Sequence, residues 1–365
     1  MKKLVKTVPS RRKFLGGAVS LAAVSTLGIP RLVLAKKTDA STVGSGEHQY
    51  RVDHAWAKLP VEFSWQTTHN VAVDSQNNLY VIHEGHRDKK DHPSIFVFDP
   101  EGNYVRSFGS QFQGGGHGIE VRNEDGQEYL YVCGYQQIKM LAKMDLKGEV
   151  LWQKFAPMKS GKYAEGEASR PKQVWGRNRF MPTNFAFLPG GDFLLADGYG
   201  SFFVHRYDRD GNWKSTFGGP GDGKGSFNTP HGIWYDDRPG REPAVVIADR
   251  AHHTLQYMSV AGEYQETLEG FGLPASFDTY GDLLLVPELL ARVSLLGKDN
   301  KVIAQLGDDV SRIKADSKFA IRRDETMWNE GKFVHPHDAC FDKEGNIFVA
   351  EWVSTGRITK LTRIG

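Results

Sequence analysis

Cysteine is scarce: Cys133 and Cys340 are the only two in 365 residues. Two thiols cannot staple a chain of this length, so a disulfide framework is excluded and a hydrophobic core must hold the fold. The chain is built of repeats, and the two cysteines fall in non-adjacent units, so packed, unpaired thiols are expected. Long segments of helical period are missing from the repeats, which argues against a helical architecture. The apolar run from Phe14 to Leu27 falls short of the roughly 20 residues that a membrane-spanning helix needs. No dedicated cofactor motif appears, which leaves a sugar- or quinone-dependent dehydrogenase without support. Charge of one sign is also lacking. The formal net charge is +2, but residues 1–35 hold seven basic and no acidic residues, so residues 36–365 carry 39 Lys and Arg against 44 Asp and Glu. Bulk electrostatics therefore gives no case for nucleic-acid binding.

What is present begins with Ser10-Arg11-Arg12-Lys13-Phe14-Leu15. Paired arginines, an apolar stretch and a small-residue site at Val33-Leu34-Ala35 make a twin-arginine signal peptide. Residues 1–35 are thus expected to engage the twin-arginine export machinery and to leave a periplasmic or extracellular protein. Residues 36–46 read as a linker and 47–365 as one domain, since closed all-β folds run long as single domains. A monomer is expected, acting on a small-molecule or peptide-like substrate.

The remaining chain repeats itself. Forty glycines and many aromatic residues suit a turn-rich β protein. Val71-Ala72-Val73-Asp74 opens one unit, followed by Leu79-Tyr80-Val81-Ile82, Ile95-Phe96-Val97-Phe98-Asp99, a turn through Gly102, and Tyr104 to Gly109. Later units begin near Gly118, Asn184, Gly232, Ala275 and Asp338. Short apolar strands broken by turn residues at this period are the signature of four-stranded blades, so the expected fold is an all-β, six-bladed propeller of antiparallel blades. The sixth unit stops after Leu361 without a fourth strand, and Gln49 to Asp53 is an orphan strand. Pairing the two closes the ring and protects the edges. Residues 157–181 and 308–332 fall outside the pattern, the second with room for a short helix, and such connections usually lie over a functional face.

Three units carry one phrase at one place: Gly116-His117-Gly118, Pro230-His231-Gly232 and Pro336-His337-Asp338. Each His stands just ahead of an inner strand, in units two, four and six. Symmetry then brings three imidazoles together on the axis, a ligand set suited to catalytic zinc with a fourth position open to water or substrate. Three neutral imidazoles also suit iron, copper or manganese. His69 holds the matching place in unit one, as a fourth ligand, a partner to a ligand or, the favoured reading, a turn residue. Glu84, Asp197, Asp249, Glu288 and Glu351 follow second strands; Asp197 and Asp249 read as caps accepting backbone N–H groups, whereas Glu84, Glu288 and Glu351 are candidates for an acidic axial wall.

With these phrases in place, the chain resembles the NHL-repeat propellers and, over residues 65–363, the lyase domain of peptidylglycine α-amidating enzymes. The resemblance implies zinc on His117, His231 and His337, Tyr199 as general base and Arg250 beside the substrate, stabilising the phenolate or a developing oxyanion. It also implies a structural calcium held by Asp338 and the backbone carbonyls of Val71 and Ile119. One departure is visible. Where the family has a second arginine, this chain reads His83-Glu84-Gly85-His86. A carboxylate there repels an anionic substrate, so the family's own peptidyl-α-hydroxyglycine is not the expected substrate. His83, Glu84 and His86, with His69, Glu288 and Glu351, are candidate substrate-side residues. The resulting expectation is a metal-dependent, carbon–nitrogen lyase-like enzyme. The alternative is a non-catalytic propeller that binds a protein, glycan or small ligand and carries a structural metal.

Overall fold

The computed structural model describes residues 41–86, 88–169 and 174–365. The twin-arginine segment lies outside the described residues. Six antiparallel sheets account for the described strands, five of four strands and one of five. The first strands of the blades are Thr68–Val73, Gly116–Glu124, Asn184–Phe187, Pro230–Asp236, Asp278–Tyr280 and Pro336–Phe341. They come together around a common axis, the last touching the first. The chain is a six-bladed β-propeller.

Its core is divided. Six apolar clusters among the described residues each lie between two neighbouring blades. The period-2 alternation of a strand supplies both faces of a blade. In the second strand of blade 1, Leu79 and Val81 pack toward blade 6, while Tyr80 and Ile82 pack toward blade 2. Each blade is therefore stabilised only by its neighbours, and ring closure matters for the whole. Cys133 and Cys340 are buried, free and in different clusters.

Closure occurs as the sequence implies. His48–Asp53 pairs with Arg357–Arg363, Tyr50 opposite Arg363 and Val52 opposite Leu361. One expectation needs correction. Thr42–Ser45, within the stretch read as linker, is a fifth strand hydrogen-bonded to His48–Asp53, with Gly46 at φ 57° in the tight turn between them. Val43 packs on the cluster between blades 5 and 6. Four residues with a single apolar side chain carry too little periodicity to be read as a strand, and the pairing partner supplies the rest.

Residues 308–332 and Trp175, among the described residues of 157–181, lie over the end of the ring where the inner strands begin. Residues 308–332 form the helices Val310–Ala315 and Ala320–Arg323 and a 3-10 turn, Glu325–Met327. Ile313 and Ile321 anchor them against Val334 and Val353, and the Arg322 guanidinium stacks 3.6 Å over Trp352. In the other connection Glu167 is fully buried and accepts from Arg179, 3.0 Å, and from the backbone N–H of Phe180, 3.1 Å.

Candidate metal centre and the cavity above it

Four histidines meet on the axis. The ring centroids of His117 lie 4.8 Å from His231, 4.9 Å from His337 and 4.7 Å from His69; His231 and His337 are 4.6 Å apart. All four are buried. The local cause is a break in strand pairing. In blades 1, 2, 4 and 6 the register between first and second strands shifts at the His, between Thr68 and Asn70, Gly116 and Ile119, Pro230 and Ile233, and Pro336 and Asp338. A bulge re-aims a side chain, here toward the axis. Blade 3, with no His at this place, pairs without a shift.

Each ring is then fixed by the blade that follows. The Nδ1–H of His117 donates to Thr183 O at 2.8 Å, that of His231 to Ala275 O at 2.6 Å, that of His337 to His69 O at 2.9 Å, and that of His69 to Gly116 O at 2.7 Å. A carbonyl only accepts, so Nδ1 carries the proton and Nε2 offers a lone pair. The glycine after the His has a steric role. A Cβ on Gly118 would stand 2.4 Å from Thr183 O, and one on Gly232 2.7 Å from Ala275 O, the same carbonyls that hold the rings.

The lone pairs converge. His231 Nε2 is 3.2 Å from His117 Nε2, a contact between two acceptors. His337 Nε2 is buried without a hydrogen-bond partner among the described residues. Ring nitrogens of His69, His117 and His337 lie within 4.8 Å of one another. Burial, reinforced by neighbouring imidazoles, holds the pKa of His117 and His337 well below the ordinary value; for His231, burial is followed by the Arg250 cation. Neutral imidazoles with inward lone pairs are a donor set for a transition metal, and backbone carbonyls fixing the opposite nitrogen are the usual outer support of such ligands. The residues present fit a metal.

Tyr199 and Arg250 stand beside this cluster. Tyr199 Oη is 3.0 Å from His231 Nε2 and accepts from Arg250 Nη1 at 3.0 Å, and the guanidinium lies 5.0 Å from the Tyr199 ring centre. A Cβ on Gly198 would be 2.4 Å from Pro230 O, so only glycine lets Tyr199 sit this close to the next blade. Both residues line a cavity of about 710 Å³ that reaches His337. Its walls include Trp175 and Phe319 from the two irregular connections, and Trp352.

Tyr135 is a site residue that sequence reasoning did not single out. Its ring is 5.1 Å from those of His117 and Tyr199, and it lines the same cavity. Gly134-Tyr135 repeats Gly198-Tyr199 one blade earlier, the signal that could have found it. Burial, then Glu84 and Tyr199, push its pKa well up, so it remains a phenol.

The acidic candidates divide. Glu288 accepts from Gly272 N, Arg292 and Ser294, and Glu351 from Val334 N at 2.7 Å and from Arg357. They are caps, in the same manner as Asp197, which accepts from Met181 N at 2.6 Å, and Asp249, which accepts from Asn228 N at 2.7 Å; the acidic axial wall they were expected to form is not built from them. In blade 1 the capping place belongs to His83. It pairs with Thr68 as Asp249 pairs with Pro230, accepts from Gln66 N at 3.2 Å and donates to Pro93 O at 2.9 Å. Burial drives its pKa down to about 3, so His83 is neutral structure and not a substrate contact. Glu84 is thereby displaced one residue past the cap. It is half-buried and accepts from Gln136 Nε2. His86 is exposed, its backbone N–H donating to Gln113 Oε1 at 2.7 Å. His69, favoured as a turn residue, stands among the axial imidazoles.

The opposite mouth, where the inner strands end, is lined by Asp338, Asp278 and Glu120 along a cavity of about 430 Å³ that includes Val71. Asp338 Oδ2 accepts from Val71 N at 2.8 Å, and Asp278 Oδ2 from Phe341 N at 2.6 Å. Burial raises Asp338 to about 8 and Asp278 to about 7, and pushes Glu120 well up. Three carboxylates penalised by burial, Glu120 also by Asp338 and Asp278, and Asp338 also by Asp278, fit a hard cation such as calcium. Ile119 precedes Glu120, and its side chain packs between blades 1 and 2.

No protein-family model and no curated protein matches this sequence. Solved structures do. The chain is similar to a catalytically inactive virginiamycin B lyase from Staphylococcus aureus bound to quinupristin, at 11% identity over 86% of this chain and 100% of that one, with a TM-score of 0.52. It is also similar to XC5397 of Xanthomonas campestris, described as a gluconolactonase, at 12% identity over 89% and 95% of the two chains, TM-score 0.57. A Bacteroides thetaiotaomicron protein of unknown function aligns at 12% identity over 89% and 76%, TM-score 0.56. Identities this low establish the propeller fold. Among the described residues no helix is long and apolar enough to cross a membrane.

Proposed function

We propose that this chain is a metal-dependent enzyme of the lyase or hydrolase type, an NHL-type propeller exported by the twin-arginine route. The observation that carries the reading is the convergence of imidazole Nε2 lone pairs beside a Tyr199–Arg250 pair, beneath a cavity large enough for a small organic or peptide-like substrate. The likeness to a virginiamycin B lyase and a gluconolactonase adds that propellers of this shape serve as enzymes.

In this reading His117, His231 and His337 hold the metal, which would polarise a substrate oxygen or acidify a bound hydroxyl. Tyr199 moves the proton. Its oxygen takes a hydrogen bond from Arg250 Nη1 and lies 3.0 Å from His231 Nε2, so a cation and an imidazole flank the atom that exchanges a proton with substrate. Arg250 also faces any oxyanion that develops next to Tyr199. Trp175, Phe319 and Trp352 give apolar and aromatic surface to the non-reacting part of the substrate. Glu84 disfavours an anionic group on the blade 1 side, so the substrate screen begins with neutral α-hydroxy amides and lactones.

The test is elemental analysis of the purified protein and of His231→Ala, followed by that screen. About one transition-metal ion per chain, lost in the variant, together with turnover on any screened substrate, supports the reading. A stable fold without a transition metal would sink it and favour a ligand-binding platform.

A further inference from the structure

We infer that His69 is a fourth metal ligand, so that the axial centre is a four-imidazole site whose further coordination positions open into the cavity, and that it suits a metal taking five or more ligands over zinc. The inference rests on the reading that the axial histidines bind metal, and it changes the ligand set and the class of metal.

His69 shares the bulge, the carbonyl anchor and the burial of the three histidines recognisable by their sequence phrase. It stands on the first strand of its blade, at a register shift of the same kind. Its Nδ1–H is spent on a carbonyl of the next blade, Gly116 O at 2.7 Å, which leaves Nε2 as the donor. It is 1% exposed. Its ring centroid lies 4.7 Å from both His117 and His337, as close as the other three lie to one another. Its own carbonyl fixes His337, so the rings of blades 6, 1 and 2 form a linked series: His337 leans on His69 O, and His69 on Gly116 O. A turn residue needs none of this.

The chemistry follows from the count. Zinc with four protein ligands is ordinarily tetrahedral and closed, and its catalytic sites keep only three. Four imidazoles still leave room on metals that accept five or six ligands, and imidazole suits iron, copper and nickel as well as zinc. The four rings come from blades 1, 2, 4 and 6. Tyr199 stands between blades 2 and 4, its ring 5.4 Å from both His117 and His231. The cavity that holds Tyr199 and Arg250 reaches His337, and a substrate atom or water enters from there.

Cobalt(II) tests this without turnover. The full-length protein is stripped, loaded with cobalt and measured by X-ray absorption fine structure and visible spectroscopy, alongside His69→Ala. Expected are four imidazoles in the unaltered protein with the weak visible bands of five- or six-coordinate cobalt. In His69→Ala, three imidazoles and stronger, four-coordinate bands are expected, with affinity lost beyond the roughly 100-fold that removal of an outer partner costs. Three imidazoles in the unaltered protein, a count that needs no variant, overturn the inference and leave the metal reading standing. Four imidazoles with intense tetrahedral bands overturn the open position. Failure to bind cobalt, or any other transition metal, overturns both the inference and the reading beneath it.

Discussion

The two mouths of the propeller are built from the same six strands and carry opposite chemistry. Where the inner strands begin, imidazoles point inward, neutral and fixed by carbonyls. Where they end, Asp338, Asp278 and Glu120 collect, held toward their protonated forms by burial. His337 and Asp338 are consecutive residues on one strand and serve the two ends. Burial disfavours charge at both, but it does so differently: it keeps histidine neutral and ready to donate a lone pair, while it makes a carboxylate costly until a proton or cation joins it. The first end suits a borderline transition metal and the second a hard ion.

The largest effect should come from the imidazole end. His117→Ala is expected to reduce bound transition metal from about one per chain to near zero and to abolish turnover, while any calcium response remains; elemental analysis and calcium-dependent melting separate the two. If both ions are lost together, the ends are not independent. Tyr199→Phe should retain the metal and lower kcat by about 10²–10⁴, the range for a general acid or base; an unchanged rate removes Tyr199 from the chemistry.

At the carboxylate end, saturating calcium should stabilise the protein by about 2.7 kcal/mol at a hundredfold excess over Kd. Asp338→Asn should lose that gain and keep its transition metal, as read by thermal melting with and without calcium. An equal calcium response in the variant would remove Asp338 from the site.

The effect that is smallest near neutral pH, and shows only in acid, belongs to a histidine away from both ends. His205 is buried in blade 3, bonded to Thr216 Oγ1 at 2.6 Å and to the Tyr163 hydroxyl. Burial, then the Lys162 cation, lowers its pKa from 6.5 to about 3. The folded pKa lies below the unfolded one, so the stability it contributes is complete above pH 6.5. It falls as pH drops toward 3, by up to about 1.4 kcal/mol per unit. His205→Gln should flatten the acid limb of a denaturation series by about one proton; an unaltered slope would show that His205 is not the titrating group.

Much of the fold was legible in the sequence because a repeat states itself several times over. Alternating strands such as Leu79 to Ile82, the turn at Asp99 to Gly102 and the missing strand after Leu361 identify six blades and their closure. His117, His231 and His337 were legible because glycine or aspartate follows each in a recurring phrase. His69 was visible as the matching place in blade 1 but favoured as a turn residue, since Asn70 follows it and the phrase is broken, although the register shift is the same. Glu84 was aligned with the capping carboxylates because position along a strand is read only to within a residue, and a shift of one residue exchanges roles. His83, not an acid, takes the cap.

The sequence by itself determined the strands, their number and the polar residues available at each blade, because these depend on local periodicity and on turn chemistry. Only the tertiary structure decided which of those residues meet. Whether a His faces the axis depends on a bulge in its strand pairing, and which nitrogen it offers depends on a carbonyl in the next blade. Those are contacts between segments tens to hundreds of residues apart, and no local pattern encodes them.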